Sequence, residues 1–206
     1  MCRVGNTAIA AVTVVALCSG AWLLRSGAET GPPPQPSAAE ARTGQARQAP
    51  AAPPLAPSPP DRIRIPAIGV DAPLTGLGLT GTGSLEVPPA EDENLAGWYE
   101  AGTTPGERGT AIVAGHVDNA EGPAVFYRLG ALKKGGAIEV DRRDGSVAVF
   151  TVHAVEAYQA REFPDEKVYG AAKRPELRVI TCGGGYSRTT GYQGNVVVFA
   201  HLTGSR

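Results

Sequence analysis

Residues 177–184 read LRVITCGG, and residues 195–202 read NVVVFAHL. The first run begins with Leu, Val and Ile among five residues, the second has three consecutive Val, and both have the length of a β-strand. The second is apolar at nearly every position, which is typical of a central strand covered on both faces. The first ends in a cysteine followed by glycines. The two runs therefore predict two buried strands, one of which presents Cys182 at its end.

Further strand patterns occur upstream of these two runs. Alternating or short apolar runs predict strands at residues 62–66, 84–87, 109–114, 137–140 and 147–155. An Asp-Gly pair between the last two is a strong signal for a tight two-residue turn. Helical periodicity is almost absent, although residues 157–174 fit a short helical turn. The pattern predicts an all-β fold, either a closed barrel or a sandwich.

The first sixty residues differ from the rest in composition. Residues 7–24 are an apolar run without a charge, which is long enough to cross a membrane. We predict a membrane anchor or signal segment at residues 1–28 and favour the uncleaved anchor. Residues 29–60 are rich in Pro, Ala, Gln and Ser and predict a disordered linker. The folded domain is then residues 61–206, outside the cytoplasm.

The net charge and the cysteine content limit which functions the chain can have. A net charge of −1 at pH 7 provides no basic surface for nucleic acid. Cys2 and Cys18 lie in or beside the N-terminal apolar run, so Cys182 is the only thiol of the predicted domain. It has no internal disulfide partner and is either a buried apolar residue or a reactive thiol. Its place between a strand and a flexible Gly-rich loop favours a nucleophile.

A histidine ends a second predicted strand. Residues 110–118 read TAIVAGHVD, and His116 follows the apolar part of this run. A histidine beside a thiol can stabilise the thiolate and protonate a leaving amine. His153 and His201 lie inside strands and are interpreted as structural. We predict no cofactor and no metal, since ligand spacing is absent and Glu91 to Glu93 is the one place to look for calcium.

These residues resemble a known family. TAIVAGHVD and LRVITCGG, together with short motifs between residues 62 and 202, are similar to the His and Thr-Cys signatures of sortases, most closely those of class F from actinobacteria. The resemblance implies a closed eight-stranded β-barrel with short helical turns. It implies a cysteine transpeptidase that cleaves an LPXTG-like C-terminal sorting signal through a thioacyl intermediate. Cys182 would be the nucleophile and His116 the general acid and base.

The resemblance also implies partners and a location. The substrates would be surface proteins that carry the sorting signal, and the acceptor would be the amine of a peptidoglycan precursor or a pilin. The enzyme would cross the cell membrane once, with its catalytic domain outside.

One residue departs from the usual sortase pattern. Many sortases have an arginine where this chain has Asn195, and the nearest substitute is Arg188. Its planar guanidinium could hold the substrate backbone or the scissile carbonyl.

Two alternatives remain open at this point. One is an L,D-transpeptidase, although residues 180–183 do not match its Ser-His-Gly-Cys stretch. The other is a tethered β-domain that binds without chemistry.

Overall fold

The structure is a computed structural model. It describes residues 31–41, 50–187, 189 and 191–206, and for residues 185–187 the backbone alone. The chain divides into two units, Met1–Pro32 and Pro33–Arg206, and all elements below belong to the second.

The described residues form an eight-stranded barrel with two short α-helices. The strands are β1 (Pro60–Ile65), β2 (Val70–Leu77), β3 (Ala96–Tyr99), β4 (Gly109–Gly115), β5 (Ala137–Arg142), β6 (Val147–Gln159), β7 (Pro175–Ser187) and β8 (Gly191–Ser205). The helices are α1 (Ala38–Ala41) and α2 (Asp165–Tyr169), with 3-10 turns at Pro66–Ile68, Leu129–Ala131 and Ala160–Glu162. The sheet closes in the order β1-β2-β3-β4-β7-β8-β6-β5. The predicted all-β closed eight-stranded barrel with short helical turns is confirmed.

Two strand pairs are parallel, β2 with β3 and β4 with β7, while the other pairs are antiparallel. In the second parallel pair, Gly109 lies opposite Pro175 and Ala114 lies opposite Ile180. Parallel strands have their carboxyl ends at the same edge of a sheet. The loops that follow β4 and β7 therefore emerge side by side.

The apolar run of β8 is buried on both of its faces. Val196, Val198, Ala200 and Leu202 belong to the main core inside the barrel. Val197 and Phe199 point outward into a second apolar cluster, which Val168 of α2 covers. Because apolar groups cover both faces, the strand lacks the alternation of a half-exposed strand.

Two local predictions differ from the structure. Residues 84–87 form no strand but only an isolated bridge, Leu79 to Leu85, because they lie in a long connection without a partner strand. The β5–β6 turn is where the Asp-Gly pair predicts it, yet it holds three residues. Arg142 N–H donates to the Ser146 carbonyl at 3.0 Å, and only Gly145 of the loop has a positive φ, +84°. A three-residue loop of this kind needs one left-handed residue.

Parts of the Pro/Ala-rich region contact the barrel. Ala52 N–H donates to the Leu202 carbonyl, and Leu55 N–H donates to the Gly106 carbonyl, both at 2.9 Å. Residues 33–41, called the N-terminal segment below, lie so close to the barrel that a Cβ on Gly130 would meet the Pro34 carbonyl oxygen at 2.0 Å. These specific contacts are not visible in composition.

No helix within the described residues is long and apolar enough to span a membrane. The predicted anchor, residues 7–24, lies outside the described residues.

Candidate active site

The structure places His116 directly after β4 and Cys182 within the neighbouring strand β7, which continues past the predicted strand end to Ser187 because it pairs with β8. Each of the two lies two residues after the last residues that β4 and β7 pair with each other, which are Ala114 and Ile180. Continuing the parallel register places them opposite each other, about 4.8 Å apart in the spacing between strands. The buried Thr181 hydroxyl of β7 donates to the carbonyl of Gly115, the last residue of β4, at 2.8 Å. This hydrogen bond connects the two strands directly before His116 and Cys182.

A hydrogen bond determines which tautomer the His116 imidazole adopts. Its Nε2 lies 2.7 Å from the carbonyl oxygen of Pro88. A carbonyl can only accept a hydrogen bond, so Nε2 carries the proton and Nδ1 is left to exchange a proton with another group. The side chain is half-buried, and Pro88 is buried beneath it. The sequence gives no direct signal for this carbonyl contact.

The thiol of Cys182 reaches solvent but is partly enclosed. Cys182 is exposed as a residue. Protein atoms around the sulfur still remove some of its hydration, and this burial, together with the negative charge of Asp118, raises the pKa of the thiol. At neutral pH the thiol form therefore predominates in the free protein, and an imidazole is needed to take up its proton.

The glycines after the cysteine are required by the backbone. Gly184 has φ +79°, a left-handed conformation that favours glycine. A Cβ on Gly183 would lie 2.7 Å from Val196 Cγ2. The Gly184 N–H donates to the Gln35 side-chain oxygen at 3.3 Å, so the N-terminal segment contacts β7 two residues after Cys182.

A groove of about 740 Å³ lies on the outside of the barrel beside this pair, and its lining includes Asn195, the residue that pairs with Cys182 across β7 and β8. Its floor is the outward face of β4 and β7, where Ala114 and Ile180 precede His116 and Cys182 by two residues. Its walls are the β2–β3 and β6–β7 connections. The walls include the described protein's large exposed apolar side chains, which are Leu79, Val87 and Tyr169. An exposed apolar groove of this size is typical of a ligand site.

Comparison with known proteins agrees with this geometry. A family model for the sortase domain matches residues 63–203, about two thirds of the chain. The chain belongs to the sortase family. Sortases are cysteine transpeptidases of the cell envelope, so the chain is a sortase transpeptidase. The match decides against the L,D-transpeptidase alternative.

Solved sortase structures share this fold. Sortase A of Listeria monocytogenes matches with a TM-score of 0.53 at 17% identity, over 72% of this chain and 90% of that chain. The SrtA sortase from Actinomyces oris has a TM-score of 0.53 at 20% identity, over 78% of this chain and 89% of that one. A Clostridium perfringens sortase D5 transpeptidase has a TM-score of 0.52 at 21% identity, over 71% of this chain and 79% of that one. No curated protein matches the sequence.

The structure does not test the role predicted for Arg188. Arg188 lies outside the described residues, so its role stays a prediction. Asn195 pairs directly with Cys182 across β7 and β8. Within the described part of the chain, no group of three or more His, Cys, Asp or Glu side chains could hold a metal ion.

The sortase also holds a contact near the thiol that the sequence did not reveal. The Tyr192 hydroxyl on β8 donates to Oδ2 of Asp118, two residues after His116. Burial and this neighbouring carboxylate raise the pKa of the Tyr192 phenol. The position of Asp118 next to His116 was the one available sign, and alone it does not distinguish a site residue from a loop residue.

Proposed function

We propose that this sortase cleaves an LPXTG-like C-terminal sorting signal and joins the released protein to an amine acceptor. Cys182 is the nucleophile and His116 is the general acid and base. The observation that carries the proposal is the parallel register of β4 and β7, in which Ala114 and Ile180 line the apolar groove two residues before His116 and Cys182.

The groove has the shape and chemistry for an extended signal. The apolar walls at Leu79, Val87 and Tyr169 suit the Leu and Pro side chains of such a signal. Ala114 and Ile180 form a flat floor that leads to the thiol. A peptide lying along it would present its Thr-Gly bond to Cys182, because the thiol is the next outward-facing group on β7 after Ile180.

The reaction then follows from the two side chains. The thiol of Cys182 loses its proton to Nδ1 of His116, and the sulfur attacks the Thr carbonyl carbon. The C–N bond breaks, the imidazolium returns its proton to the departing Gly amine, and a thioester remains. An acceptor amine attacks the thioester, forms the new amide and releases Cys182. Arg188 is the proposed donor to the oxyanion, since the Gly184 N–H already donates to the Gln35 side chain.

The acceptor is the amine of a peptidoglycan precursor or a pilin, and the substrates are surface proteins. Residues 7–24 anchor the enzyme in the cell membrane, with the barrel outside. The resemblance to class F sortases is part of the same proposal. An anchored enzyme meets anchored substrates at raised effective concentration.

The test is mass spectrometry of the full-length chain incubated with LPXTG-type peptides and a primary amine. Wild type should give a product cleaved after Thr and linked to the amine. Cys182→Ala should give none, and His116→Gln should lose at least about a hundredfold, the usual contribution of a general acid and base. Equal turnover by wild type and Cys182→Ala would refute the mechanism. A thiol in wild type that forms no acyl adduct with any of the peptides would favour the binding-domain alternative.

A further inference from the structure

A side-chain contact crosses β7, and the strand order fixes where it lies. Tyr192 belongs to β8, while Asp118 lies in the loop after β4. In the barrel β7 lies between β4 and β8. A hydrogen bond from Tyr192 to Asp118 therefore crosses β7, the strand that contains Cys182. Asp118 is held beside the thiol.

This contact lies on the far side of Cys182 from the groove. Along β7, Ile180 lines the groove and comes before Cys182, whereas Tyr192 pairs with Tyr186, which comes after it. The sorting signal would approach from the side of Ile180. The Asp118–Tyr192 pair faces the other approach to the same sulfur atom.

Asp118 shares a face with His116. Val117 between them is buried, with 3% of its surface exposed, while both neighbours are half-buried. Asp118 also forms an antiparallel bridge with Pro123, so the chain is extended here. In an extended chain, side chains two residues apart point to the same side. The carboxylate and the imidazole thus both lie on the side of this segment that faces β7 near Cys182.

The charge of Asp118 opposes the first half of the reaction and suits the second. A carboxylate next to a thiol disfavours the thiolate, and it contributes to the raised pKa of Cys182. Among the described residues, none of the salt bridges includes Asp118. An acceptor amine is an ammonium ion at neutral pH and is attracted by the same negative charge.

We propose that Asp118, oriented by Tyr192, binds the ammonium group of the incoming acceptor and positions it against the thioester. The inference rests on the proposed function and assigns the acceptor side of that same site. Neutral His116 takes one proton from the bound ammonium through Nδ1. The amine nitrogen forms its bond to the thioester carbonyl carbon, the C–S bond breaks, and Cys182 leaves as a thiolate beside the imidazolium. The nitrogen's second proton passes to the thiolate or to solvent, which leaves a neutral amide.

The first experiment needs no sorting signal. Cys182 of the full-length chain is reacted with a cationic methanethiosulfonate carrying a trimethylammonium group and with its neutral methyl analogue, and labelling is followed at Cys182 by peptide mass spectrometry. Wild type should favour the cationic reagent several-fold more than a free cysteine does. Asp118→Asn should remove that preference. The control is Glu121→Gln, an exposed carboxylate on the same loop, which should retain it.

A wild-type preference equal to that of free cysteine would overturn the proposal, as would a preference unchanged in Asp118→Asn. Neither result depends on whether the peptide substrate has been found, so a failure of the proposed function is distinguishable.

The second experiment uses the transpeptidation itself. Acceptors are a primary alkylamine, cationic at pH 7.5, and hydroxylamine, which is neutral there. Asp118→Asn should raise the KM for the alkylamine about tenfold, the size of a charge-assisted hydrogen bond, and leave that for hydroxylamine nearly unchanged. Tyr192→Phe should give a smaller shift in the same direction, since it loosens the carboxylate without removing it. An equal loss with both acceptors would mean a structural role and would contradict the inference.

Discussion

Replacing Thr181 by valine tests whether the register of β4 and β7 positions the proposed catalytic pair, Cys182 and His116. The Thr181 hydroxyl donates to the Gly115 carbonyl at 2.8 Å, and the side chain is 4% exposed. Valine has nearly the same shape, so the change removes the hydrogen bond and little packing. It acts one residue before both Cys182 and His116.

The expected cost is set by the buried partner left behind. Losing a neutral hydrogen bond and leaving a buried carbonyl with one partner fewer costs about 1–2 kcal/mol. For a domain of this size, such a loss lowers the Tm by roughly 3–6 °C. Activity should fall more than stability, because a displacement of about 1 Å between reacting groups can cost about a hundredfold in rate. We expect kcat/KM to drop at least about tenfold at a temperature where the variant is fully folded.

Urea unfolding and peptide cleavage measure the two effects separately. Thr151→Val is the matched control, because Thr151 bonds to Thr203 at 3.0 Å between β6 and β8, away from the site. It should lose less stability, because both hydroxyls are half-buried, and keep its turnover. Thr181→Ser retains the hydroxyl and should recover most of the activity. Full turnover in Thr181→Val, or an equal loss in Thr151→Val, would refute the reasoning.

Three further predictions concern titration and docking. Since burial and Asp118 raise the pKa of Cys182, iodoacetamide should label it with a midpoint pH above that of a free thiol, and a lower midpoint would contradict this. Burial lowers the pKa of His153 from 6.5 to about 4, so the folded state binds fewer protons than the unfolded chain between these values. Stability at pH 4.5 should be about 1–2 kcal/mol below that at pH 7 from this group, allowing for its partial exposure, and equal pH slopes for wild type and His153→Gln in urea unfolding would count against it. Gly130→Ala should push the N-terminal segment off the barrel, since its Cβ would lie 2.0 Å from the Pro34 carbonyl oxygen; limited proteolysis should then cut that segment faster while the barrel keeps its Tm.

The strand content of the barrel could be predicted where side chains alone decide it. β4, β6, β7 and β8 have apolar or alternating runs that predict them directly. β2 and β3 were not predicted, because residues 70–77 contain a proline and a glycine and residues 96–99 are too short to show a period. Their pairing is set by tertiary contacts, Leu74 opposite Ala96 among them. The loop size at Gly145 likewise depends on backbone geometry rather than on residue type.

The site was predictable as far as it depends on residue type and position. A thiol and an imidazole that directly follow apolar runs mark Cys182 and His116 as candidates without a structure, but the continuation of β7 past Cys182 to Ser187 is not visible in the glycine-rich sequence there. That the two runs are neighbours follows from a parallel pairing of strands sixty or so residues apart, which local sequence does not encode. The Pro88 carbonyl and the Asp118–Tyr192 contact depend on atoms that only the folded chain brings together.

The strands and the connections of this barrel have different roles, and this difference bears on how the peptide preference of the enzyme could be engineered. The proposed reacting groups follow the hydrogen-bond ladder of β4 and β7, whereas the groove walls come from the connections at residues 78–95 and 160–174. A connection can gain, lose or exchange residues without sliding one strand past the other. Loop exchange between relatives of this barrel is therefore a route to altered peptide preference in which the chemistry is inherited from the recipient and the selectivity from the donor.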